Sequence, residues 1–355
     1  MSHFSLLADP GSYAVSDVDL SVQDDARQYW LKLFQDHFAQ VLEFAKLAYG
    51  RNFGRQIASA ANAFSQSLAQ LRDNPHAPGR PWGVIELCRR REKALRAYGL
   101  RDPFRLIKQR ENKVALDAYP QVARNLLRLG GPQRWDHLFR GVFAGNIFDL
   151  GSVVTMGYAK EQVDFEKVIS QVKPRPWRVD NFDQLAAILP AGGDQPSPWA
   201  KAVIFVDNAG PDFVLGVMPL VRQLAAHGTK IVLAANELPS LNDITADESV
   251  QIVQELTGLD ADLESFVTAG LFEIVSTGND IPLIELSAVS DELNQAAEGA
   301  DLVVLEGMGR TVESNWSTRF SVDSIQLCLL KDPTIAARIG GEVFDCVCAY
   351  FPAVK

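Results

Sequence analysis

The sequence has few cysteines and no long apolar run, and these absences exclude several classes of protein. Its four cysteines are dispersed, with no Cys-x-x-Cys pair, and Cys346 and Cys348 alternate with Val347 as the buried residues of a strand do. We therefore expect buried thiols, a reducing compartment and a cytoplasmic location. No run reaches the length that spans a bilayer. We also expect no signal peptide, because the first residues contain neither a basic nor a sustained apolar segment.

A net positive charge and three common enzyme signatures are also missing. The formal net charge of -10 argues against a nucleic-acid partner and against an anionic membrane surface. The sequence has no G-x-x-x-x-G-K-[ST] loop, the residues after Val206 do not form G-x-G-x-x-G, and the five histidines form no H-x-x-x-H pair. We therefore expect neither a P-loop NTPase, nor a nucleotide cofactor, nor a zinc hydrolase.

The stretch between residues 201 and 249 carries the strongest structural signal. Lys201–Val206, which is apolar after its first residue, and Ile231–Ala235 are typical of strands buried on both faces of a parallel sheet. Between them, Asp212–Ala226 has apolar residues at helical spacing, and a glycine follows as a stop signal. The pattern predicts a βαβ unit, and ligands bind outside the carboxyl ends of the strands in such sheets.

Polar residues follow both strands of this unit. Asp207 and Asn208 come directly after the first strand, while Asn236 and then Asn242 and Asp243 follow the second. Carboxylate and amide oxygens are hard ligands that suit Mg²⁺ or Mn²⁺ better than a thiolate metal. Aspartate and asparagine are also ordinary residues of turns and helix N-caps. Because Asp207, Asn208 and Asp243 recur at strand ends of one unit, we interpret them as a metal site.

The order of helical and strand patterns predicts an α/β fold. A chain of 355 residues suggests two domains, or one with a large appendage. We expect an extended, loosely ordered arm over residues 1–22, a mainly helical domain over 23–172, and an α/β domain over 173–355 that begins with a proline-rich linker at 173–177. In this last domain helices alternate with strands, which predicts three layers. The predicted helices lie at 23–49, 53–73, 82–98, 120–129 and 135–147, and the predicted strands near 201–206, 230–235, 271–276 and 301–306.

A glycine-bounded segment in the helical half is a further candidate. Gly145 and Gly151 enclose Asn146 and Asp149, and glycine allows the backbone to approach a polar ligand closely. The same residues also fit a helix C-cap followed by an Asx turn.

Two more candidates lie near the carboxyl terminus. Glu306, Gly307 and Arg310 follow a predicted strand, where glycine frees backbone N–H groups for an anion and arginine can hold a phosphate with two nitrogens. Lys331 ends Ser324–Leu330, a helix-like stretch, where a lysine is by default solvated or a partner of the helix dipole.

These motifs resemble those of the metal-dependent damage-control phosphatase family, formerly a domain of unknown function, and within it the subfamily with the sequence EGMGR. That subfamily includes stand-alone plant enzymes and a phosphatase domain fused to a pantothenate-kinase-like domain. The matching segments cover most of the chain from about residue 80. They are LCRRREKALRAYGLRDPF at 87–104, FAGNIFDLGS at 143–152, PRPW at 174–177, IFVDNAGPD at 204–212, LAANELPSLNDIT at 233–245, STGNDIP at 276–282, EGMGR at 306–310 and IGGEVFDCV at 339–347.

The resemblance implies a helical amino-terminal region packed on a Rossmann-like α/β/α sandwich with a mostly parallel sheet. It implies that Asp207, Asn208 and Asp243 are metal ligands and catalytic residues, that the ion is Mn²⁺, Co²⁺, Ni²⁺ or Mg²⁺, and that no nucleotide is bound. The implied activity is hydrolysis of a small phosphorylated metabolite, namely 4′-phosphopantetheine and its oxidised forms. Sugar phosphates are the alternative substrates within the same family.

The chemistry of the residues agrees with a phosphatase, since an ion at this position polarises a phosphoryl oxygen and positions water. Two other functions stay open. A carboxyl methyltransferase requires an adenosyl-methionine pocket, which the acidic turn after Val206 opposes, and a non-catalytic metal-binding regulator is opposed by the intact ligand set. Apolar residues of the first helices could serve a homodimer. The residues expected to contact phosphate or substrate are Asn146, Asp149, Asn236, Glu306, Gly307, Arg310 and Lys331.

Overall fold

A seven-stranded sheet forms the centre of the structure, a computed structural model that describes residues 1–147 and 164–354. The strand order is β1-β7-β6-β5-β2-β3-β4, and every neighbouring pair is parallel except β6 and β7. The strands are β1 Val179–Asp180, β2 Lys201–Phe205, β3 Lys230–Ala235, β4 Phe272–Ser276, β5 Leu302–Glu306, β6 Asp323–Leu329 and β7 Cys346–Phe351.

Helices precede the sheet and cover both of its faces. Two short turns of π-helix, Asp212–Val217 and Gly309–Glu313, follow β2 and β5. The α-helices are α1 Asp24–Tyr49, α2 Gly54–Asp73, α3 Val84–Ala97, α4 Arg105–Leu127, α5 Gly131–Ile147, α6 Phe165–Gln171, α7 Phe182–Ala186, α8 Met218–Ala226, α9 Ala246–Thr257, α10 Ala261–Thr268, α11 Asp291–Ala296 and α12 Pro333–Arg338. None of the helices in the described ranges is both long enough and apolar enough to cross a bilayer.

The apolar sequence of β2 explains the three layers. Ala202 and Ile204 point to one face of the sheet, where they join a core that includes residues of α4, α5 and α8. Val203 and Phe205 point to the opposite face, where they join a core with residues of α11 and with Phe4. A strand that is buried on both faces needs apolar residues at its buried positions, and β2 has them from Ala202 to Phe205. The expected α/β fold with a mostly parallel sheet is confirmed.

The amino-terminal helices pack against the part of the sheet that β6 and β7 form. Apolar residues of α1, α2 and α3 form one core with residues of β6, β7 and α12. The first 22 residues contain no helix or strand, yet Phe4, Leu7 and Leu20 are buried, so this arm is anchored rather than loose. The division of the chain at residue 172 stays a prediction.

Two predicted helices are wrong in kind or extent. Ser324–Leu330 is not helical, because it falls on strand β6, where alternate side chains face opposite sides and the backbone pairs with β5 and β7. The helix expected at 120–129 is the last part of the much longer α4, which contains Pro120 in its interior. Burial of Tyr119 and Val122 on either side of the proline outweighs its cost to the helix.

Candidate active site

The site lies where the order of the strands reverses. β2 pairs with β3 on one side and with β5 on the other, which makes the carboxyl end of β2 a topological switch point. Asp207 and Asn208 follow β2, Asn236 follows β3, and Glu306 ends β5. The loop after β3 returns to this edge, because Asp243 forms an antiparallel bridge with Asn208. Residues from three neighbouring strands therefore meet at one edge of the sheet.

Arg310 joins the two aspartates predicted from the sequence. Its Nη1 contacts Asp207 Oδ1, and its Nη2 lies 2.9 Å from Asp243 Oδ2. Asn236 completes the group, since its Nδ2 donates to Asp243 Oδ2 at 3.0 Å and its Oδ1 lies 3.3 Å from Arg310 Nη2. All four side chains are buried. The guanidinium therefore places positive charge between the two carboxylates and fixes their separation.

A second group of carboxylates lies beside Asp207. Asn208 Nδ2 donates to Asp207 Oδ2 at 3.0 Å and to Asp212 Oδ2 at 2.8 Å. Asn146 Nδ2 donates to Asp212 Oδ1 at 2.8 Å and also to Glu306. Glu306 in turn accepts the backbone N–H of Asp207 at 2.9 Å. One carboxylate oxygen from each of Asp207, Asp212 and Glu306 lies within 4.8 Å of the others, so this group is able to hold a metal ion.

Burial and mutual repulsion shift the titration of these groups. Burial raises the pKa of Asp212 to about 7, with a further contribution from Asp207. Burial, followed by Asp212 and Asp207, raises the pKa of Glu306 well above its ordinary value. Burial alone lowers the pKa of Arg310, but Asp207 and Asp243 outweigh it and the net shift is upward, so the guanidinium stays charged. A cation near these carboxylates relieves repulsion that protonation otherwise relieves.

A glycine is required where β5 meets Asp207. Gly307 has a φ of 95°, and a Cβ atom at this position would lie 2.2 Å from Asp207 Oδ2. Its backbone N–H donates to the carbonyl of Leu327 at 3.0 Å. The expectation that this N–H is free to bind an anion is therefore wrong, and the glycine instead allows the Asp207 carboxylate to approach the chain.

A cavity of about 350 Å³ opens onto this edge of the sheet. We call its polar end the floor, which consists of Asp207, Asn208, Asn242, Asp243 and Lys331. Lys331 is only 2% exposed, although a lysine at a helix end is ordinarily solvated. Neither Nδ2 nor Oδ1 of Asn242 has a hydrogen-bond partner among the described residues. The floor therefore contains one buried cation, Lys331, and one amide, Asn242, whose donors and acceptor no described residue engages.

The rest of the cavity lining is mainly apolar. We call it the wall, which consists of Tyr29, Trp30, Leu33 and Phe34 of α1 together with Leu283 and Met308. These residues come from the helical region, from the loop after β4 and from the turn after β5. The active-site cavity is thus closed by a helix that lies far from the floor in the sequence.

The structure brings together most of the residues that the sequence nominated. Asp207, Asn208, Asp243 and Lys331 line the cavity, whereas Asn146, Asn236, Glu306, Gly307 and Arg310 surround or support them. The sequence nominated Arg310 and Asn236 for contact with phosphate, but the Arg310 guanidinium is paired with Asp207 and Asp243. The Asn236 Nδ2 donates to Asp243 and to the backbone carbonyl of Ile281. Asp149 lies outside the described residues.

Sequence reasoning missed Asp212, Asn242 as a site residue, and the wall. Asp212 is five residues after Asp207 and starts the helical segment after β2. A second carboxylate at the amino terminus of that segment is a sequence signal that could have identified Asp212 as a site residue. The sequence contains no comparable signal for the wall, because apolar residues at helical spacing in α1 predict an ordinary buried face.

Family comparison agrees with this geometry. The sequence model of the damage-control phosphatase ARMT1-like domain matches residues 31–347. The chain is 40% identical to a damage-control phosphatase of Arabidopsis thaliana, over 81% of this chain and 77% of that protein. It is 37% identical to pantothenate kinase 2 of Arabidopsis thaliana, over 98% of this chain and 42% of that protein. It is 30% identical to 4′-phosphopantetheine phosphatase of Mus musculus, over 97% of this chain and 48% of that protein.

This chain spans less than half the length of the last two relatives. The fold has a match of its own in a crystal structure of a DUF89 family protein from Pyrococcus horikoshii. That structure superposes with a TM-score of 0.64 over 94% of this chain and 99% of the other, at 17% identity. Together with the match over residues 31–347, these similarities confirm the resemblance drawn from the motifs, and the chain belongs to the damage-control phosphatase family.

Proposed function

We propose that this chain is a metal-dependent phosphatase that hydrolyses 4′-phosphopantetheine and its oxidised forms. The observation that carries the proposal is the floor, where two carboxylates, two amides and a buried lysine meet at the switch point of the sheet. The family match and the name of the mouse relative support it. A cytoplasmic location and a homodimer stay predictions.

Asp207, Asn208 and Asp243 are the residues that would hold the ion. Both donors of the Asn208 amide are used by carboxylates, and its Oδ1 accepts no hydrogen bond from the described residues, so this oxygen suits a metal. The pair of Asp207 and Asp243 already accommodates the positive charge of Arg310. The residues present therefore fit the divalent metal on which the family depends. A bound ion supplies positive charge opposite the phosphoryl oxygens and acidifies water.

Asp207, Asp212 and Glu306 form the alternative ligand group. Asp212 and Glu306 do not line the described cavity, whereas Asn208 and Asp243 do. The residues that hold a catalytic ion must leave the ion in contact with the substrate, which occupies the cavity. We therefore assign the metal to the floor. Asp212 and Glu306 then act as supports, since Asp212 orients the Asn208 amide and Glu306 accepts the backbone N–H of Asp207.

The remaining floor residues are placed to bind the phosphoryl group. Lys331 supplies a buried positive charge, and the Asn242 amide supplies donors that the described residues leave unused. Both oxygens of Asp207 are engaged, Oδ1 by Arg310 and Oδ2 by Asn208, so we propose attack by water rather than by this carboxylate. The water oxygen bonds to phosphorus, the ester P–O bond breaks, and the alcohol leaves with a proton from the water.

The wall favours a substrate with a long, largely apolar arm. A sugar phosphate presents hydroxyl groups on every side, and burying them against Trp30, Phe34 and Met308 would leave them without hydrogen bonds. An acyl-amide arm has apolar segments that such a surface accommodates. We therefore rank 4′-phosphopantetheine above sugar phosphates.

Phosphate release from purified protein tests the proposal. The substrates are 4′-phosphopantetheine, its sulfonate and fructose 1-phosphate, each with Mn²⁺, Co²⁺, Ni²⁺ or Mg²⁺, for the wild type, Asp243→Ala and Asp212→Asn. We expect metal-dependent release that Asp243→Ala abolishes and Asp212→Asn only weakens. A greater loss in Asp212→Asn would move the ion to the alternative group. No release from any substrate by folded protein would contradict the proposal and favour a regulatory protein or, if adenosyl-methionine alone stabilises the fold, a methyltransferase.

A further inference from the structure

One carboxyl group on the cavity is not explained by the floor. Glu313 ends the π-helical turn after β5 and lines the cavity together with the wall. Its side chain is more than nine-tenths buried, with an exposed fraction of 8%. A carboxyl group with so little access to water normally has a hydrogen-bond partner in the protein.

No described residue supplies such a partner to the Glu313 carboxyl group. No hydrogen bond or ion pair of this side chain is present within residues 1–147 and 164–354, and the nearby Arg338 donates instead to the backbone carbonyl of Glu313, at 3.2 Å. The other carboxylate at this end of the cavity, Asp332, is fully used. It caps α12 through Oδ1 and accepts the hydroxyl of Tyr29 at 2.7 Å through Oδ2. Within the part of the chain that the structure describes, Glu313 is thus a carboxyl group on this cavity that no side chain engages.

The surroundings of Glu313 determine which ligand group it suits. Burial raises the pKa of Glu313 to about 8, and Asp17 and Asp332 add to the shift, while Arg338 opposes it. At neutral pH the carboxyl group is therefore largely protonated, with one O–H donor and a carbonyl acceptor. An amide or a hydroxyl complements both atoms, whereas a carboxylate at the same depth would be desolvated beside Asp332 and Asp17.

We propose that Glu313 is a specificity-determining residue that binds a neutral amide or hydroxyl group on the arm of the substrate. It selects arms without negative charge at this depth of the cavity. The inference rests on the proposed phosphatase function, because it concerns the part of the substrate that the floor does not hold. The floor binds the phosphoryl group, the wall packs against the apolar segments of the arm, and Glu313 fixes its polar group.

The test compares three phosphomonoesters. 4′-Phosphopantetheine has an amide arm, 4′-phosphopantothenate has the same arm shortened to a carboxylate, and methyl phosphate has no arm. Steady-state phosphate release is measured with Glu313→Leu, which removes both polar atoms, and with Glu313→Gln, which keeps a donor and an acceptor. Glu298→Gln, a change at an exposed glutamate, is the matched control.

We expect Glu313→Leu to raise KM for 4′-phosphopantetheine about tenfold, the equivalent of one hydrogen-bonded group, with little change in kcat. Glu313→Gln should restore KM to within about twofold of the wild type. The loss should be confined to arm-bearing esters, and the wild type should prefer the amide arm to the carboxylate arm. An unchanged KM in Glu313→Leu, or an equal loss with methyl phosphate, would overturn the inference, since the latter indicates a structural role.

Binding separates this inference from the proposed function. The same variants are titrated calorimetrically with 4′-phosphopantetheine in the presence of Mn²⁺. If the wild type binds the ester without hydrolysing it, the phosphatase proposal fails, and a loss of affinity in Glu313→Leu alone would still support the role of Glu313. If the wild type neither binds nor hydrolyses the ester, both proposals are overturned.

Discussion

The floor and the wall of the cavity are built in different ways. On the floor and beneath it, the positions of Asp207, Asn208 and Asp243 are fixed by hydrogen bonds and ion pairs to neighbouring polar side chains. The wall is held by apolar packing of α1 against the core of the helical region. Under the proposed function, the floor determines the rate of the reaction, and the wall determines which substrate binds. Changes to the floor should therefore act on kcat, and changes to the wall on KM.

Among changes that leave every proposed metal ligand in place, the largest effect should come from Gly307→Ala. The added methyl group would overlap the Asp207 carboxylate and displace it from Arg310 and Asn208. A displacement of this size at a reacting centre costs on the order of a hundredfold in kcat. Gly299→Ala is the matched control, because Gly299 also has a positive φ, of 74°, but its Cβ would meet no atom within 4 Å. Equal losses of activity in the two variants would attribute the effect to backbone strain and remove Gly307 from the site.

The next largest effect should come from Asn242→Ala. Its amide is buried on the floor without a partner among the described residues, so we assign it to the phosphoryl group. Loss of a hydrogen bond to a charged group corresponds to roughly a tenfold to hundredfold fall in kcat/KM. The measurement is phosphate release with methyl phosphate, which depends on the floor alone. Retention of full kcat/KM would exclude contact between this amide and the substrate.

A smaller effect should follow from Ser240→Ala, which tests how the floor is supported. Ser240 Oγ donates to Glu92 Oε1 at 2.9 Å, and the Ser240 carbonyl accepts the N–H of Asp243 at 3.1 Å. Glu92 is also paired with Arg91 at 2.8 Å, in a buried group. Removing the hydroxyl leaves Glu92 short of one donor and should lower the free energy of unfolding by about 1–3 kcal/mol.

Urea unfolding measures this difference, with Ser265→Ala, a change at an exposed serine of α10, as the control. The control should stay within about 0.5 kcal/mol of the wild type. If Ser240→Ala and Ser265→Ala were equally stable, the Arg91–Glu92–Ser240 group would contribute nothing to the position of the floor.

The last prediction is the pH dependence of stability at Glu313. Its ordinary pKa of 4.5 applies in the unfolded chain, and burial raises the pKa of Glu313 to about 8 in the folded protein. Between these values the folded state binds the extra proton, so this group lowers the free energy of unfolding as pH rises through that interval. Glu313→Gln removes the effect, and its Tm should exceed that of the wild type increasingly from about pH 5 to about pH 8. A difference in Tm that does not depend on pH would show that Glu313 titrates normally.

The same contrast explains which features were predictable from the sequence. Strands β2 and β3 were predicted because burial on both faces demands an unbroken apolar run, and Asp207, Asn208 and Asp243 because the ends of such strands share one edge. The run Ser324–Leu330 suggests a helix, but a short apolar run with few polar residues fits a helix and a strand equally well. Its pairing with β5 and β7 shows that it is a strand.

The wall and the partners of Arg310 depend on tertiary contacts that leave no local signal. Trp30 and Phe34 lie on the buried stripe of α1, and no spacing rule distinguishes a residue that faces a cavity from one that faces the core. Arg310 follows a glycine-rich turn, which suggests contact with phosphate, but the π-helical turn after β5 folds its side chain back onto Asp207 and Asp243. Motifs locate an edge of the sheet, and packing decides which groups at that edge remain available.

Locating the metal ion directly decides whether Asp207, Asn208 and Asp243 are its ligands. Crystals grown with Mn²⁺ and inorganic phosphate, measured at the manganese absorption edge, would locate the ion independently of any activity. We expect one anomalous peak in contact with Asp207, Asn208 and Asp243, with phosphate bound between the ion and Lys331. A peak between Asp212 and Glu306, or no peak at this edge of the sheet, would contradict it.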